Sequence, residues 1–310
     1  MLGVHQLLTV VITAGILSVS SLVFAQTPAL ERIVIAVQPT SSAQELTSKA
    51  KEIEETLTAA VGIPVELKFP TNYAGVIESL RFGHAQAAFM GAWPALLAVE
   101  KANAKVALAE VRDVFIDGKA AQEPFYFSYW VTAPDSPYQT LASLKGAKVA
   151  FPSQLSSSGY IAPLAKLVDS GLVVNQQGQP ADPKTFFSEV LFAGGYAQGW
   201  EALKSKQVDV AIIAGDVAQT LYEDVLKNTK IVETQGPIPS HVFVVADGLT
   251  PDLEKQLTEA MMVFNSDEKR PLMKKFVSGI FVKFIKADNS HLESLKKMVA
   301  TTGLSFTEKK

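Results

Sequence analysis

A chain of 310 residues with 48% hydrophobic and 19% charged residues is long enough to bury one large core or two smaller ones. Its formal charge of −3 and pI near 5.9 leave no basic surplus, and no run of lysine or arginine could follow a phosphate backbone, which argues against a nucleic-acid partner. The absence of cysteine excludes disulfides, thiol chemistry and a lipid-modified cysteine anchor.

Residues 7–25 carry no charge and end in Val23-Phe24-Ala25 before Gln26. They read as a secretory leader with small residues at the cleavage positions. The run also approaches the length of a membrane span, so a retained anchor is the alternative. Serines and threonines interrupt the run and Thr27-Pro28 follows it, which favours cleavage near Ala25 and a periplasmic chain, although the first six residues hold no lysine or arginine.

Residues 33–37 form a β-branched run that predicts a strand, followed by a helical pattern over 45–60. A strand at 63–69, a helix at 73–82 and a strand at 86–90 follow, and Gly91-Ala92-Trp93-Pro94 is the next turn, with Pro94 suited to a first helical turn. This alternation predicts a mostly parallel sheet with helices on both faces, whose ligands bind beyond the carboxyl ends of strands. Thr40 to Ser42, Asn72-Tyr73 and Gly91 to Trp93 are candidates to line such a cleft. A second βα series begins with the aromatic strand 125–132 and continues with strands at 148–151, 188–192 and 208–214, with Gly178 to Pro183 an exposed loop. A last strand at 241–246 and helices at 251–264 and 268–276 have no sheet of their own and are expected to return to the first. The expected fold is α/β with two doubly wound lobes, a cleft and a hinge. Residues 26–124 and 237–310 make lobe 1, residues 125–236 make lobe 2, and connections near 118–126 and 233–240 join them.

Ser156-Ser157-Ser158-Gly159-Tyr160 stands where the strand at 148–151 hands over to a helix near Pro163. Helix N-termini leave backbone N–H groups unpaired and attract anions. Serine adds hydroxyl donors, and Gly159 is expected to let a ligand approach the backbone. An ordinary N-cap with two loop serines is the competing reading. Gly194-Gly195 forms a tight turn that either presents Tyr196 and backbone donors to the same cleft or is purely structural. Gly194-Gly195-Tyr196-Ala197-Gln198-Gly199 misses the Gly-x-Gly-x-x-Gly spacing of a dinucleotide site.

Four histidines at 5, 84, 241 and 291 are scattered, and no pair has metal-ligand spacing. Neither a Gly-x-Ser-x-Gly elbow nor a phosphate-binding Gly-x-x-x-x-Gly-Lys loop is present. No catalytic base accompanies a nucleophile, so an exported α/β hydrolase or transferase is the weaker alternative to a binding protein. Trp93, Trp130 and Trp200 read as core residues, with Trp93 alone placed on a loop that could face a ligand.

Tyr73-Ala74-Gly75-Val76-Ile77-Glu78, the strand with Tyr126-Phe127-Ser128, and Ser156-Ser157-Ser158-Gly159-Tyr160 with Pro163 resemble the substrate-binding components of phosphonate and phosphite ABC transporters, a branch of the two-lobed (type II) periplasmic binding proteins. The likeness covers most of residues 31–280. It implies a non-catalytic, cofactor-free monomer that delivers a small phosphorus oxyanion to a membrane permease, with phosphate or sulfonate as the alternative cargo. It also implies that the serine turn holds the oxyanion, that Tyr73 and Tyr126 donate to it, and that Asp216, after Val208-Asp209-Val210-Ala211, faces it. An N-cap of the following helix is the other reading of Asp216. In relatives that carry aminoalkyl phosphonates an acid after the Gly-rich turn meets the ammonium; here that place holds Ala197. Aminoalkyl ligands are therefore expected to be disfavoured, and phosphite or methylphosphonate to fit best. No lysine or arginine lies within 149–165, so N–H and O–H dipoles must do the holding.

Overall fold

The computed structural model describes residues 30–38, 43–70, 73–175, 179–276 and 279–305. The expected leader over 1–25 and the loop candidates Thr40, Ser41, Ser42 and Asn72 lie outside them. In chain order the first part holds β1 (Ile33–Val37), α1 (Ala43–Val61), β2 (Val65–Lys68), α2 (Tyr73–Arg81), β3 (Ala87–Met90), α3 (Ala92–Ala102), β4 (Lys105–Ile116) and β5 (Lys119–Glu123). The second part holds β6 (Phe125–Thr132), β7 (Lys148–Phe151), α4 (Ala162–Asp169), β8 (Glu189–Phe192), α5 (Tyr196–Lys204), β9 (Val210–Ala214), α6 (Gln219–Asn228) and β10 (Lys230–Pro239). The chain ends with β11 (Val242–Val245), α7 (Pro251–Met262), α8 (Arg270–Phe276), β12 (Phe281–Lys286) and α9 (Glu293–Thr302).

Two mixed sheets result. The first runs β12-β4-β11-β3-β1-β2, with β5 on the distal part of β4; the second runs β10-β6-β9-β7-β8. β1 is parallel to β2 and β3, and β7 is parallel to β8 and β9, while β11, β12, β6 and β10 run antiparallel to their neighbours. The central strands carry the apolar runs. Every residue of β1 (Ile-Val-Ile-Ala-Val) and β9 (Val-Ala-Ile-Ile-Ala) is buried, as a strand covered on both faces requires.

One cluster of buried side chains fills the space under α1, α7 and α8, joining Ile33, Ile35, Leu57, Leu257, Phe264 and Phe284. Another lies under α5 and α6, around Tyr129, Trp200, Ile213 and Tyr222. A third is shared between the sheets: Trp93, Leu96 and Leu97 of α3, Tyr160 to Leu167 around α4, Trp130 of β6, and Leu295 and Val299 of α9. Each fully buried aliphatic side chain stabilises by about 1.5 to 3 kcal/mol relative to exposure.

The chain leaves the first sheet between β5 and β6 and returns between β10 and β11, and the crossings lie side by side, with the Ser240 N–H donating to the Pro124 carbonyl at 3.0 Å. Of the residues that the sequence groups with the first lobe from 237 onward, β11 and β12 join the first sheet and α7 and α8 pack on α1, while α9 packs against α4 and β10 of the second.

β4 and β5 have no counterpart in the sequence reading. β4 spans 12 residues, but Glu110, Arg112 and Asp113 break its apolar run. Glu110 and Arg112 are nevertheless buried, at 0% and 3% exposure. Their burial is possible because they pair with each other, and that pairing defines the site.

Candidate functional site

A cleft of about 490 Å³ opens between the sheets. Gln38 follows β1, Gly91 follows β3, Pro152, Ser153 and Leu155 to Ser158 follow β7, Gly194 to Tyr196 follow β8, and Asp216 to Ala218 follow β9; all line it. Each of these segments lies just beyond the carboxyl end of a parallel strand, where the strand order of an α/β sheet leaves a crevice. Arg112 of β4, Tyr126 of β6 and His241 before β11 complete the wall. Two other hollows, of about 640 and 620 Å³, lie beside Lys105, Glu254 and Lys286 and beside Val174, Gln179 and Leu304, and among the described residues neither gathers buried polar side chains.

The serine turn is built by one π-helical turn, Ser157–Ile161, that feeds into α4. The Ser156 carbonyl accepts from both Tyr160 N–H and Ile161 N–H at 3.1 Å, and Ser156 Oγ accepts the Gly159 N–H at 2.9 Å. The Ser157 and Ser158 N–H groups have no partner among the described residues, and both residues line the cleft. Such turns widen a helix by one residue and recur at functional sites. Ser156 is therefore an N-cap, as the plainer reading of the triplet held, but the other two serines are buried rather than loop filler. Gly159 has a different role from the expected one. A Cβ there would overlap the Pro152 ring and stand 2.8 Å from Ser156 Oγ, so the glycine serves the packing of the loop, not a ligand's approach.

Hydroxyls then converge. The Tyr126 O–H donates to Ser158 Oγ at 3.0 Å, and the Tyr196 hydroxyl lies 2.7 Å from Ser158 Oγ and 3.3 Å from Ser156 Oγ. The Ser158 carbonyl accepts from Ser128 Oγ at 2.7 Å, which in turn accepts from Gln235 Nε2 at 2.8 Å. Across the cleft the Trp93 N–H, at the start of α3, donates to Ser157 Oγ at 3.1 Å. A serine oxygen that accepts one bond keeps its own O–H to give, so Ser157 remains a donor to a ligand. Burial pushes the Tyr126 phenol well above its ordinary value, and the Asp216 charge adds to the effect, so Tyr126 stays protonated.

The charged floor was not foreseen. The Arg112 Nε donates to Glu110 Oε2, and its Nη1 donates to Asp216 Oδ2 at 2.8 Å. Arg112 belongs to the first sheet and Asp216 to the second, so this ion pair spans the cleft. Burial raises both carboxyls above their ordinary values, against the pull of Arg112. Burial disfavours the Arg112 charge too, but the two carboxylates outweigh it and hold the guanidinium charged. His241 is driven well below its ordinary value by burial and by Arg112, and is neutral. A formal positive charge thus does reach the cleft, where the sequence led us to expect dipoles alone, but it is already engaged by two carboxylates. Asp216 is not an N-cap. α6 begins at Gln219 with Ala218 before it, and the Asp216 carboxylate is spent on Arg112.

Of the eight residues singled out in the sequence, the structure brings Tyr126, Ser156, Ser157, Ser158, Tyr196 and Asp216 together in the cleft. Trp93 contributes its backbone N–H only; its indole is 5% exposed and packs in the shared core. Tyr73 opens α2, and its side chain lies outside the described residues. Trp130 and Trp200 are buried, the latter donating from Nε1 to Asp224 at 2.7 Å. The sequence reading missed Arg112, Glu110, His241 and Gln38, whose Oε1 accepts the Gly91 N–H at 2.8 Å. The one available signal was a Glu-x-Arg inside the otherwise apolar run 105–116. Among the described residues no three His, Asp or Glu side chains converge as metal ligands.

Known proteins carry the same scaffold. The chain is 27% identical over 237 residues to a phosphate-import protein, PhnD, of Mycolicibacterium smegmatis, covering 73% of this chain and 70% of that one. It is 26% identical over 230 residues to the phosphonates-binding periplasmic protein of Escherichia coli, covering 72% of this chain and 63% of that one. A crystal structure of a binding-protein component of an ABC phosphonate transporter from Pseudomonas aeruginosa superposes with a TM-score of 0.65 at 21% identity, covering 88% of this chain and 86% of that one. The sequence model of a family described as the periplasmic substrate-binding protein of phosphonate ABC transporters matches residues 35–292. With this match over most of its length, on a two-sheet scaffold whose cleft is walled by hydroxyls and free N–H groups, the chain belongs to the family of periplasmic substrate-binding proteins of phosphonate ABC transporters.

Proposed function

We propose that the chain binds a small phosphorus oxyanion, such as phosphite or methylphosphonate, in this cleft and delivers it to a membrane permease without chemical change. The observation that carries the reading is the pair of unpartnered N–H groups of Ser157 and Ser158, set beside three serine hydroxyls and the hydroxyls of Tyr126 and Tyr196. Hydrogen bonds to a charged group contribute about 1.5 to 3 kcal/mol each. Micromolar binding corresponds to about −8 kcal/mol, so four or five converging donors suffice after ordering costs.

Asp216 is the carboxylate that faces the ligand. A carboxylate beside an oxyanion repels it unless a proton lies between them, and phosphonates, unlike sulfate, retain one to near neutral pH. Size is set by Tyr196, whose hydroxyl is tied to the serine turn, so that its ring shortens the cavity. An ammonium group would find Ala197 after the Gly-rich turn, and an Asp216 carboxylate already committed to Arg112. A buried ammonium without a partner costs several kcal/mol. Phosphate is a second reading, favoured by the phosphate-import function named for the Mycolicibacterium relative. A thermal-shift screen tests these statements. Phosphite or methylphosphonate at about 100 times its Kd adds about 2.7 kcal/mol of stability. Sulfate, taurine and 2-aminoethylphosphonate give smaller shifts. A 2-aminoethylphosphonate shift as large as that of methylphosphonate contradicts the size argument, and a largest shift with phosphate selects the second reading.

The lobes, residues 26–124 with 237–310 and residues 125–236, close on the ligand by bending at the paired crossings, with α9 riding on the second sheet. Small-angle scattering then shows a smaller radius of gyration with saturating ligand, and an unchanged radius refutes closure. Export removes residues 1–25; the intact mass of the secreted protein starts at Gln26, and a mass that includes Met1 refutes it.

A further inference from the structure

We propose that Glu110, which does not line the cleft, decides which protonation state of the ligand the cleft accepts. The inference rests on the oxyanion reading of the cleft and adds to it a residue that acts through another. Among the described residues that line the cleft, Arg112 is the one cationic side chain, since His241 is neutral. Its Nε is taken by Glu110 and its Nη1 by Asp216. Glu110 is sealed at 0% exposure, and its Oε1 has no hydrogen-bond partner among the described residues. A carboxylate placed there is screened far less than one at the surface, so its charge acts on Arg112 and, through it, on the ligand. With both carboxylates ionised the cluster carries one positive and two negative charges before any ligand arrives. A dianion is therefore opposed, and a monoanion whose own O–H points at Asp216 is admitted.

Among the described residues the surroundings supply no other cation. On β4 itself the neighbour is Arg112. From the approach to β11, the His241 carbonyl accepts the Glu110 N–H at 2.9 Å, and Ser240 Oγ donates to the Glu110 carbonyl at 2.6 Å. His291 reaches the Ser240 carbonyl at 3.4 Å, and burial lowers its affinity for a proton, as it does for His241. On β12 the residue opposite Glu110 is Phe284, and Lys283 beside it is exposed. Tyr126 of β6 and Asp216 after β9 face the cluster from the second sheet, with Tyr196 of α5 beyond them. Neutralising Glu110 leaves Arg112 with a single carboxylate and frees part of its charge for the ligand.

Calorimetric titration of wild type, E110Q and E110D with methylphosphonate and with sulfate, between about pH 6 and 9, tests this. In wild type the methylphosphonate affinity falls about tenfold per pH unit above the ligand's own ionisation, the signature of one required proton. In E110Q that slope flattens and the sulfate affinity rises about tenfold or more, while E110D, which keeps the charge, keeps the wild-type slope and the rejection of sulfate. E110Q with the wild-type slope and sulfate rejection overturns the proposal. So does E110D behaving like E110Q, because the effect is then one of packing. If E110Q does not fold, E110M takes its place: a flattened slope with raised sulfate affinity upholds the proposal, and the wild-type slope with sulfate rejection overturns it. Wild type binding neither ligand nor phosphite overturns the cleft reading and this inference with it, whereas wild type binding with E110Q unchanged overturns this inference alone.

Discussion

Replacing Ser156, Ser157 and Ser158 together by alanine lowers the affinity for methylphosphonate about a thousandfold, a loss of about 4 kcal/mol, while the chain still folds. Each hydroxyl is lost in a different context. Ser157→Ala removes a ligand donor and leaves the Trp93 N–H without its acceptor, so it loosens the link between α3 and the serine turn as well. Ser158→Ala releases the hydroxyls of Tyr126 and Tyr196 from the atom that orients both. Ser156→Ala removes the cap of Gly159 N–H, which costs about 1 kcal/mol of stability in addition to any ligand contact. Backbone N–H groups survive all three changes, so residual weak binding is expected. Calorimetry gives the affinities, and a thermal melt shows that the fold is kept. Affinity within threefold of wild type in the triple variant removes the serine hydroxyls from the site.

Arg112→Met has the largest expected effect on stability. Breaking a buried ion pair from one side leaves unpaired charge in the interior and costs about 3 to 5 kcal/mol. Here two carboxylates lose the same partner. For a chain of this size that lowers the melting midpoint by about 5 to 8 °C. The sign of the pH dependence follows from the direction of the shifts. Glu110 and Asp216 already sit above their ordinary values of 4.5 and 3.8 in the folded protein. A carboxyl raised on folding contributes stability that is full below its unfolded value and is lost as pH rises through its folded value. Without Arg112 both are raised further, so the defect is smallest near the ordinary carboxylate range and grows toward neutral pH. Melting curves of wild type and Arg112→Met against pH test this, and a difference that shrinks as pH rises contradicts it.

The parts of the fold legible in the sequence are those whose burial is uniform. β1 and β9 are unbroken apolar runs because helices cover both faces, and the serine turn announces itself because three hydroxyls follow such a run at β7. β4 was illegible for the opposite reason. Its two buried charges satisfy each other and Asp216, a partner 104 residues away, and no local pattern reports a pairing across that distance. β10 was hidden by Gly236 and by Pro237 and Pro239, which mark a connection in most contexts, yet it pairs with β6, with Gly236 and Pro237 in a bulge and Pro239 opposite Phe125. Five of the six site residues that lie together, Ser156, Ser157, Ser158, Tyr196 and Asp216, do so because loops at the carboxyl ends of parallel strands converge by geometry alone, while Tyr126 comes from the antiparallel strand β6. Arg112 comes from the body of a strand, outside that rule.

A crystal structure of the chain grown with methylphosphonate tests the central claim most directly. The account predicts the phosphonate oxygens at about 2.7 to 3.2 Å from the N–H groups of Ser157 and Ser158 and from serine hydroxyls, with a protonated oxygen toward Asp216. Density for the ligand beside Lys105 and Lys286, or an empty serine turn at saturating ligand, would contradict it.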